Sequence, residues 1–590
     1  MKKLVFLILF TGLFTTAQTN TYNISFENAV HHEAKVNISF PDIKTNSIIV
    51  RMSRTSPGRY ALHEFAKNVY GFKATNSKGE LINVERPDPY SWKVSDHDGT
   101  INIEYILFAN RGDGTYSQID ETHAHLNIPA TFMYAENFEH RPISVNFDVR
   151  EDLNWKVATQ LKEESGTTFS APDLYYFMDS PTEISNFDMK EFDLDGQKIR
   201  FVLHHEGTEE EFAEYFDKVQ RIAKQEKTVY GELPEFDYGK YTFLACYMPN
   251  ASGDGMEHRN STILTSTRSL NEGGMEGNIG TVAHEFFHAW NVERIRPDEL
   301  EPFNFAEANM TGSLWFAEGF TSYYTGLMLC RANVRSQEDY INGLSGTFNY
   351  VWNSPALKYF NPIEMSYQAP FVDAATSVDP VNRENTFISY YSYGSVLGLA
   401  LDLSLRQENL NLDDFMKLMW KKYGKTEVAY KVENIEETLK EYAGEDFASD
   451  FFDNYIYDSK RPDYKKLFEA VGIKLEQDTK KDYFGAYLRA SEEGLVIAGN
   501  PVKSGPAYKA GLDSGDIIIN VDGNEVSTVE DFNTVLSSNE DGNIKVLFRR
   551  FGSEKETEVI LETDPAYSIS LDENASKEAL KKRKNWLEPK

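Results

Sequence analysis

The chain has 590 residues, enough for three or four domains of ordinary size. Hydrophobic residues make up 41% of it, which is too much for a disordered chain even though 26% of the residues are charged. The formal net charge of −32 at pH 7 disfavours binding to nucleic acid or to an anionic membrane through a basic face. The composition therefore predicts a folded, multidomain protein with no nucleic-acid partner.

Residues 1–17 have the three parts of a secretory signal peptide. Two lysines precede an apolar run at residues 4–14, and this run is shorter than the roughly 18 to 20 residues of a membrane span. We predict its removal, no transmembrane segment afterwards, and export to the periplasm of a bacterial envelope or to the medium. There are two cysteines, Cys246 and Cys330, and their apolar neighbours favour buried free thiols. A single disulfide between them is the alternative.

Two domains are predicted from the order of strand and helix patterns. Short alternating or β-branched runs, such as 39–50 and 140–149, predict a β-rich domain over residues 18–170. Residues 171–476 mix strands with an amphipathic helix at 209–225, and helices dominate from about residue 320. The strands of this second domain are predicted at 199–204 and 241–248, and its further helices at 280–295, 314–330, 393–407, 412–422 and 432–442.

A further domain is predicted at residues 477–566, where short strands surround the segment 494–526. Residues 506–512 favour one short helix, and Asp522 with Gly523 is typical of a hairpin turn. Residues 567–590 are left as a C-terminal tail, whose basic cluster is interpreted as a frayed helix.

A His-Glu-Phe-Phe-His segment at residues 284–288 predicts a metal site. His284 and His288 are four residues apart, so a helix would present both imidazoles on one face to one ion. Glu285 lies beside them and could take a proton from a water activated by the metal. Two unrelated histidines on a helix are the alternative.

Two histidines do not complete a catalytic zinc site, which usually has three protein ligands and a water. Glu318 is the candidate third ligand, because it lies in an apolar, aromatic segment where an unpaired charge would be costly. The alternative is that Glu318 faces solvent or pairs with Arg294 or Arg296. With one Zn²⁺ per molecule on His284, His288 and Glu318, the predicted reaction class is amide hydrolysis.

These segments resemble the M61 family, the glycyl aminopeptidases within the gluzincin group of metallopeptidases. The resemblance rests on residues 284–297, on residues 315–324 and on the order of the domains, and it covers most of the mature sequence. It implies a multidomain α+β fold: an N-terminal β-rich domain, a thermolysin-like α/β plus helical catalytic domain, and a C-terminal PDZ domain.

The resemblance also assigns roles around the metal. Gly255, Glu257 and His258 lie in a segment similar to the family's Gly-Gly-x-Glu-His segment, in which the glutamate holds the free α-amine of the substrate. Tyr391 matches by spacing the tyrosine that donates to the oxyanion of the tetrahedral intermediate. From the residues alone, a solvent loop around Glu257 and simple aromatic packing of Tyr391 are the alternatives.

In the PDZ-like segment, residues Phe484, Gly485, Ala486 and Tyr487 are the candidate carboxylate-binding loop. Such a domain binds an extended peptide or a free C-terminus as an added strand, or it could simply pack on its own catalytic domain.

Three functions therefore remain open: a zinc aminopeptidase with a preference for Gly or Ala, a zinc endopeptidase of broader specificity, and a non-catalytic peptide-binding scaffold.

Overall fold

The computed structural model describes residues 18–372 and 381–590, so the predicted signal peptide lies outside the described residues. Within these ranges no helix combines the length and the apolar character needed to cross a membrane.

The N-terminal part is built from three sheets around one core, as the alternation of apolar residues predicts. In Ile101–Phe108, for example, every second side chain is buried. The first sheet has the order Lys162–Ser165, Thr168–Ala171, Ile143–Asp148, Asn20–Ser25, Glu33–Phe40, Ile101–Phe108 and Val69–Thr75. The second has the order Tyr134–Ala135, Ser47–Arg51, Ser91–Ser95 and Val84–Asp88, and the third Lys156–Thr159, Thr182–Ser185, His123–Leu126 and Gln118–Ile119.

Two details of this part differ from the sequence prediction. The run at 39–50 is two strands, because Pro41 cannot donate to a ladder and Asp42 has a φ of 53°. The third sheet extends to Ser185, past the predicted boundary at residue 170, because Thr182–Ser185 pairs with His123–Leu126.

The second predicted domain, which the resemblance makes the catalytic part and which is called so below, combines a five-stranded sheet with helices. Its strand order is Asp188–Leu194, Gln197–His205, Lys240–Tyr247, Ser261–Ser266 and Asp254–His258. A capping box of Thr208 and Glu211 starts the helix Glu209–Tyr230. The longer helices that follow are Ile279–Phe287, Leu314–Arg331, Gln337–Trp352, Tyr390–Gln407, Leu412–Met419, Val432–Ala443 and Glu445–Tyr455.

Four of these elements carry the site and are named here. They are the edge strand (Asp254–His258), the motif helix (Ile279–Phe287), the glutamate helix (Leu314–Arg331) and the tyrosine helix (Tyr390–Gln407). Gly319 and Gly394 let the glutamate and tyrosine helices approach until their backbones touch, since a Cβ at either position would overlap the other helix. The motif helix is shorter than predicted, because residues 288–295 form turns.

The PDZ domain has its own core and one main sheet, with strands Leu488–Ser491, Gly494–Ile497, Ile517–Val521, Asn543–Arg550 and Ser553–Ile560. The short helix Pro506–Lys509 and the helix Val529–Ser537 pack on it. Asp522 and Gly523 form the expected two-residue turn, both with positive φ. Both ends of the domain return to one antiparallel ribbon of Ile473–Gln477 and Tyr567–Leu571.

The prediction of a frayed C-terminal tail is wrong. The helix Lys577–Leu587 packs on the catalytic part and buries the side chains of Trp586 and Leu587 completely. Trp586 Nε1 donates to the hydroxyl of Tyr323 at 2.9 Å, and its carbonyl accepts from Arg331 at 2.9 Å. The free energy gained by burying these apolar side chains keeps the helix docked although the residues around them are basic.

Candidate active site

His284, His288 and Glu318 meet at one point between the motif helix and the glutamate helix. Glu318 Oε2 lies 3.5 Å from Nε2 of His284 and 3.1 Å from Nε2 of His288. The carboxylate and the ring of His288 are each 1% exposed. Glu318 therefore faces the two histidines, and the alternative pairing with Arg294 or Arg296 does not occur.

Nδ1 of each imidazole, the ring nitrogen that faces away from Glu318, lies next to a hydrogen-bond acceptor. Nδ1 of His288 lies 2.6 Å from the carbonyl oxygen of Asn291, which can only accept, so this nitrogen carries the proton. Nδ1 of His284 lies 3.1 Å from the Thr325 hydroxyl, which itself donates to the carbonyl of Thr321. Both Nε2 atoms therefore face Glu318: without a metal they can donate a proton to the carboxylate, and a metal ion that displaces this proton would meet a lone pair on each, the usual arrangement of metal-binding histidines.

Tyr60, from the N-terminal part, completes the surroundings of Glu318. Its hydroxyl donates to Glu318 Oε1 at 2.8 Å, while Oε2 faces the imidazoles. Tyr60 is 258 positions away from Glu318 in sequence and belongs to no motif, so sequence reasoning missed it.

The electrostatics of the cluster favour a cation. Burial opposes charge on His288, but Glu318 and Glu257 raise its pKa to about 10. Burial also opposes ionisation of Glu318, yet the neighbouring His288 and hydrogen bonds from both imidazoles keep its pKa below the usual range. Two nitrogen lone pairs and a buried carboxylate oxygen that converge in this way fit a metal ion of the zinc type.

Glu285 lies beside this cluster, as its place in the motif predicts. It is 5% exposed, and one of its carboxylate oxygens has no hydrogen-bond partner. Burial, reinforced by Glu257 and Glu318, raises the pKa of Glu285 well above its usual value. A Cβ at Gly255 would overlap Glu285 Oε1, so a glycine is needed where the edge strand passes the base.

Glu257 lies on the same face of the edge strand as Gly255 and reaches the metal cluster. Its carboxylate, Glu285 and His288 have ligand atoms within 4.8 Å of one another, and burial raises the pKa of Glu257. His258 is on the opposite face and pairs with Asp179, Nδ1 to Oδ1 at 2.8 Å. The side chain of His258 therefore lies on the face of the edge strand opposite to Glu257.

A loop of the N-terminal part packs against the edge strand next to Glu257. A Cβ at Gly58, which has a φ of 79°, would lie 3.0 Å from Glu257 Oε2 and would overlap Met256. Arg59 forms an ion pair with Asp254 at the start of the edge strand. The loop that carries both residues is a part of the site that no sequence motif indicates.

Tyr391 starts the tyrosine helix on the other side of the cleft. Its ring centroid is 5.9 Å from that of His284, and it stacks on Tyr390 at 4.7 Å. Burial and the negative charge of Glu318 raise the pKa of Tyr391 well above 10, so the phenol keeps its proton and can donate.

The predicted PDZ loop at 484–487 precedes the strand Leu488–Ser491, which ends its sheet and leaves an open edge beside the helix Val529–Ser537. Phe484 is buried, whereas Tyr487 is 73% exposed. An open edge next to a helix is the geometry that strand addition requires.

The PDZ domain also packs on its own catalytic part. Asn385, before the tyrosine helix, donates to the carbonyl of Pro501 at 3.0 Å and accepts from the backbone of Lys503 at 2.7 Å.

Three segments of the sequence match known protein families. The Peptidase M61 N-terminal domain matches residues 21–186, M61 glycyl aminopeptidase matches residues 277–397, and a PDZ domain matches residues 498–550. No curated protein matches the sequence significantly.

Solved structures that resemble this protein include one that is similar over nearly its whole length and one that is less similar. An aminopeptidase N family protein from Idiomarina loihiensis is 24% identical, with a TM-score of 0.85, and the match covers 97% of this protein and 100% of that one. An M1 zinc metallopeptidase from Deinococcus radiodurans is 12% identical, with a TM-score of 0.42, over 76% of this protein and 95% of that one.

Proposed function

This protein belongs to the M61 peptidases, and we propose that it is a zinc-dependent aminopeptidase that removes small N-terminal residues, such as Gly or Ala, from peptides. Peptidase activity follows from the family. The zinc ion, one at this site, and the restriction to free N-termini are the proposal.

The observation that carries it is the position of Glu257. This buried carboxylate lies within 4.8 Å of groups on Glu285 and His288, and among the residues described it forms no ion pair with a Lys or Arg side chain. A substrate α-ammonium would supply the missing cation. The loop at Gly58 lies against Glu257, and in this proposal it limits the space beside a peptide N-terminus.

In this proposal each residue of the site has its own role in the reaction. Zinc, when held by His284, His288 and Glu318, would supply the Lewis acidity that activates water near neutral pH and polarises a peptide carbonyl. Glu285 takes the proton of the attacking water and passes it to the leaving amine. Tyr391 donates a hydrogen bond to the oxygen of the substrate carbonyl as negative charge develops there.

The edge strand supports the orientation of the substrate. Its outer edge pairs with no strand in the part of the protein that the structure covers, so a peptide can lie along it in extended form. The substrate amine would then meet Glu257 and the scissile carbonyl would lie between the metal ligands and Tyr391.

The test compares peptides with Ala or Gly at a free N-terminus with the same peptides after N-acetylation. We expect cleavage of the free peptides only, lost on chelation and restored by zinc. Glu257→Gln should lower kcat/KM for free peptides about 10- to 100-fold, since a charged hydrogen bond contributes about 1.5 to 3 kcal/mol. The exposed Glu272→Gln is the matched control and should change nothing.

Equal cleavage of acetylated peptides would instead establish the endopeptidase. If zinc-loaded protein cleaved no peptide, the scaffold function would replace both, with the open edge at Leu488–Ser491 as its binding site.

Two further proposals concern the ends of the sequence. Export rests on residues 1–17 and is tested by sequencing the N-terminus of the mature protein from cell fractions. Peptide binding by the PDZ domain is tested by titrating it, in the full-length protein, with peptides that end in a free or an amidated C-terminus.

A further inference from the structure

A second cluster of metal-binding side chains lies buried between the N-terminal and catalytic parts, outside the peptidase site. Three of its atoms, one each from His123, His204 and Cys246, lie within 4.8 Å of one another. Glu183 adds a carboxylate oxygen to them. We call these four residues the junction cluster; their exposed fractions are His123 0%, Glu183 1%, Cys246 1% and His204 8%.

Strand pairing fixes the positions of the four residues. His204 and Cys246 are direct neighbours in the parallel pair Gln197–His205 and Lys240–Tyr247. His123 and Glu183 come from the antiparallel pair of the third N-terminal sheet, where Glu183 is opposite His125. Two ligands from each domain therefore face each other across the junction.

Four distances between side chains of the junction cluster are close to those of a tetrahedral zinc site. Cys246 Sγ lies 3.8 Å from His123 Nδ1 and 3.5 Å from His204 Nδ1. Glu183 Oε1 lies 3.4 Å from the same atom of His123 and 3.7 Å from that of His204. Zinc bond lengths of about 2.0 to 2.3 Å at tetrahedral angles place neighbouring ligand atoms about 3.3 to 3.7 Å apart.

The hydrogen bonds of His123 leave Nδ1 available for a metal. Gln118 donates its amide to the carbonyl of Asn250 at 2.9 Å, so its oxygen is the atom that faces His123 Nε2 at 3.2 Å. Nε2 therefore carries a proton, and Nδ1 of the neutral ring presents a lone pair to the thiol and to Glu183.

The two carboxylate oxygens of Glu183 likewise differ, since one has a hydrogen-bond partner and the other faces the cluster. Oε2 is held by His125 at 3.1 Å, whereas Oε1 faces the cluster, is buried and has no hydrogen-bond partner among the residues that the structure describes. A divalent cation would satisfy Oε1 and would balance one thiolate and one carboxylate, which leaves the buried site neutral. The competing arrangement without metal is an imidazolium of His123 between the thiol and the carboxylate.

We propose that the junction cluster is a second metal site, which holds zinc through one thiolate, two imidazoles and one carboxylate and fastens the two domains together. Two imidazoles, one thiolate and one carboxylate supply four donors, the number that a structural zinc site uses, and the four side chains are at most 8% exposed. The thiolate and imidazole donors favour zinc over magnesium or calcium. This ion is additional to the one in the peptidase site, and the proposal does not depend on the function of that site.

The test uses cobalt, because only a cobalt–thiolate bond gives intense near-ultraviolet charge-transfer absorption and the peptidase ligands include no cysteine. The full-length protein is stripped with a chelator, loaded with Co²⁺ and, separately, with Zn²⁺, and its metal content is measured by mass spectrometry. We expect two equivalents of metal per molecule and a thiolate band. Cys246→Ser should abolish the band and lose one equivalent, whereas Cys330→Ser, the other buried cysteine, should change neither.

Two further variants separate this site from the peptidase site. His204→Gln should weaken the band without removing the peptidase metal, and Glu318→Gln should remove the peptidase metal and keep the band. Cobalt-loaded wild-type protein without a thiolate band would overturn the proposal and leave the imidazolium network, whatever the variants do. A band that survives Cys246→Ser would overturn it equally.

Discussion

Removal of the Tyr60 hydroxyl tests how the N-terminal part supports the metal ligands. Tyr60 donates to Glu318 Oε1 at 2.8 Å, and both side chains are almost completely buried. Tyr60→Phe removes this hydroxyl and keeps the ring. A hydrogen bond to a charged group contributes about 1.5 to 3 kcal/mol, and loss of an outer partner of a metal ligand typically costs about 10- to 100-fold in affinity.

We therefore expect Tyr60→Phe to weaken zinc binding at the peptidase site about 10- to 100-fold. The assay is competition with a chromophoric chelator of known affinity, read together with kcat/KM at saturating zinc. Tyr105→Phe is the matched control, because it deletes an equally buried hydroxyl of the same domain that also donates at 2.8 Å, to the carbonyl of Thr131.

Unchanged zinc affinity in Tyr60→Phe would refute this reasoning and would mean that Glu318 is positioned by its helix alone. An equal loss in Tyr105→Phe would show that the effect comes from general destabilisation of the domain.

Three other changes test different parts of the structure. Gly255→Ala should lower kcat/KM by roughly 100-fold with full metal content, because the new methyl group displaces the Glu285 carboxylate by about an ångström. Trp586→Ala should lower the free energy of unfolding in urea by about 3 to 5 kcal/mol, whereas Tyr487→Ala, at an exposed site, should change it by less than about 0.5 kcal/mol. Burial, with the charge of Asp179, raises the pKa of Glu293 from 4.5 to about 7, so its contribution to stability is full below pH 4.5 and is lost as the pH rises through 7. The difference in unfolding free energy between wild type and Glu293→Gln should accordingly shift by up to about 3 kcal/mol between about pH 4.5 and 8.

Each of these expectations can fail on its own. Normal turnover by Gly255→Ala would show that the edge strand can retreat from the base. A small loss in Trp586→Ala would mean that the C-terminal helix adds little to the core. A pH-independent difference for Glu293→Gln would mean that the pKa of this carboxyl is the same in the folded and the unfolded protein.

Local sequence was enough to predict the residues of the proposed metal site. His284 and His288 are one helical turn apart, so their convergence needs only a helix, and the cost of burying Glu318 unpaired already pointed to a cation. The order of the domains and the hairpin at Asp522 also follow from local patterns, because period, turn residues and composition act over a few positions.

Only the tertiary structure decided which distant residues join these elements. Tyr60, Arg59 and Gly58 reach the cleft from another domain through contacts that have no sequence period. The junction cluster takes its four ligands from four strands, with no spacing that a motif could show. The basic residues of the C-terminal helix outnumber Trp586 and Leu587, and for this reason the sequence predicted a frayed tail. Burial of those two side chains instead fixes the position of the helix. In each case long loops must close before the contact exists, and such contacts depend on the packed fold and not on neighbouring residues.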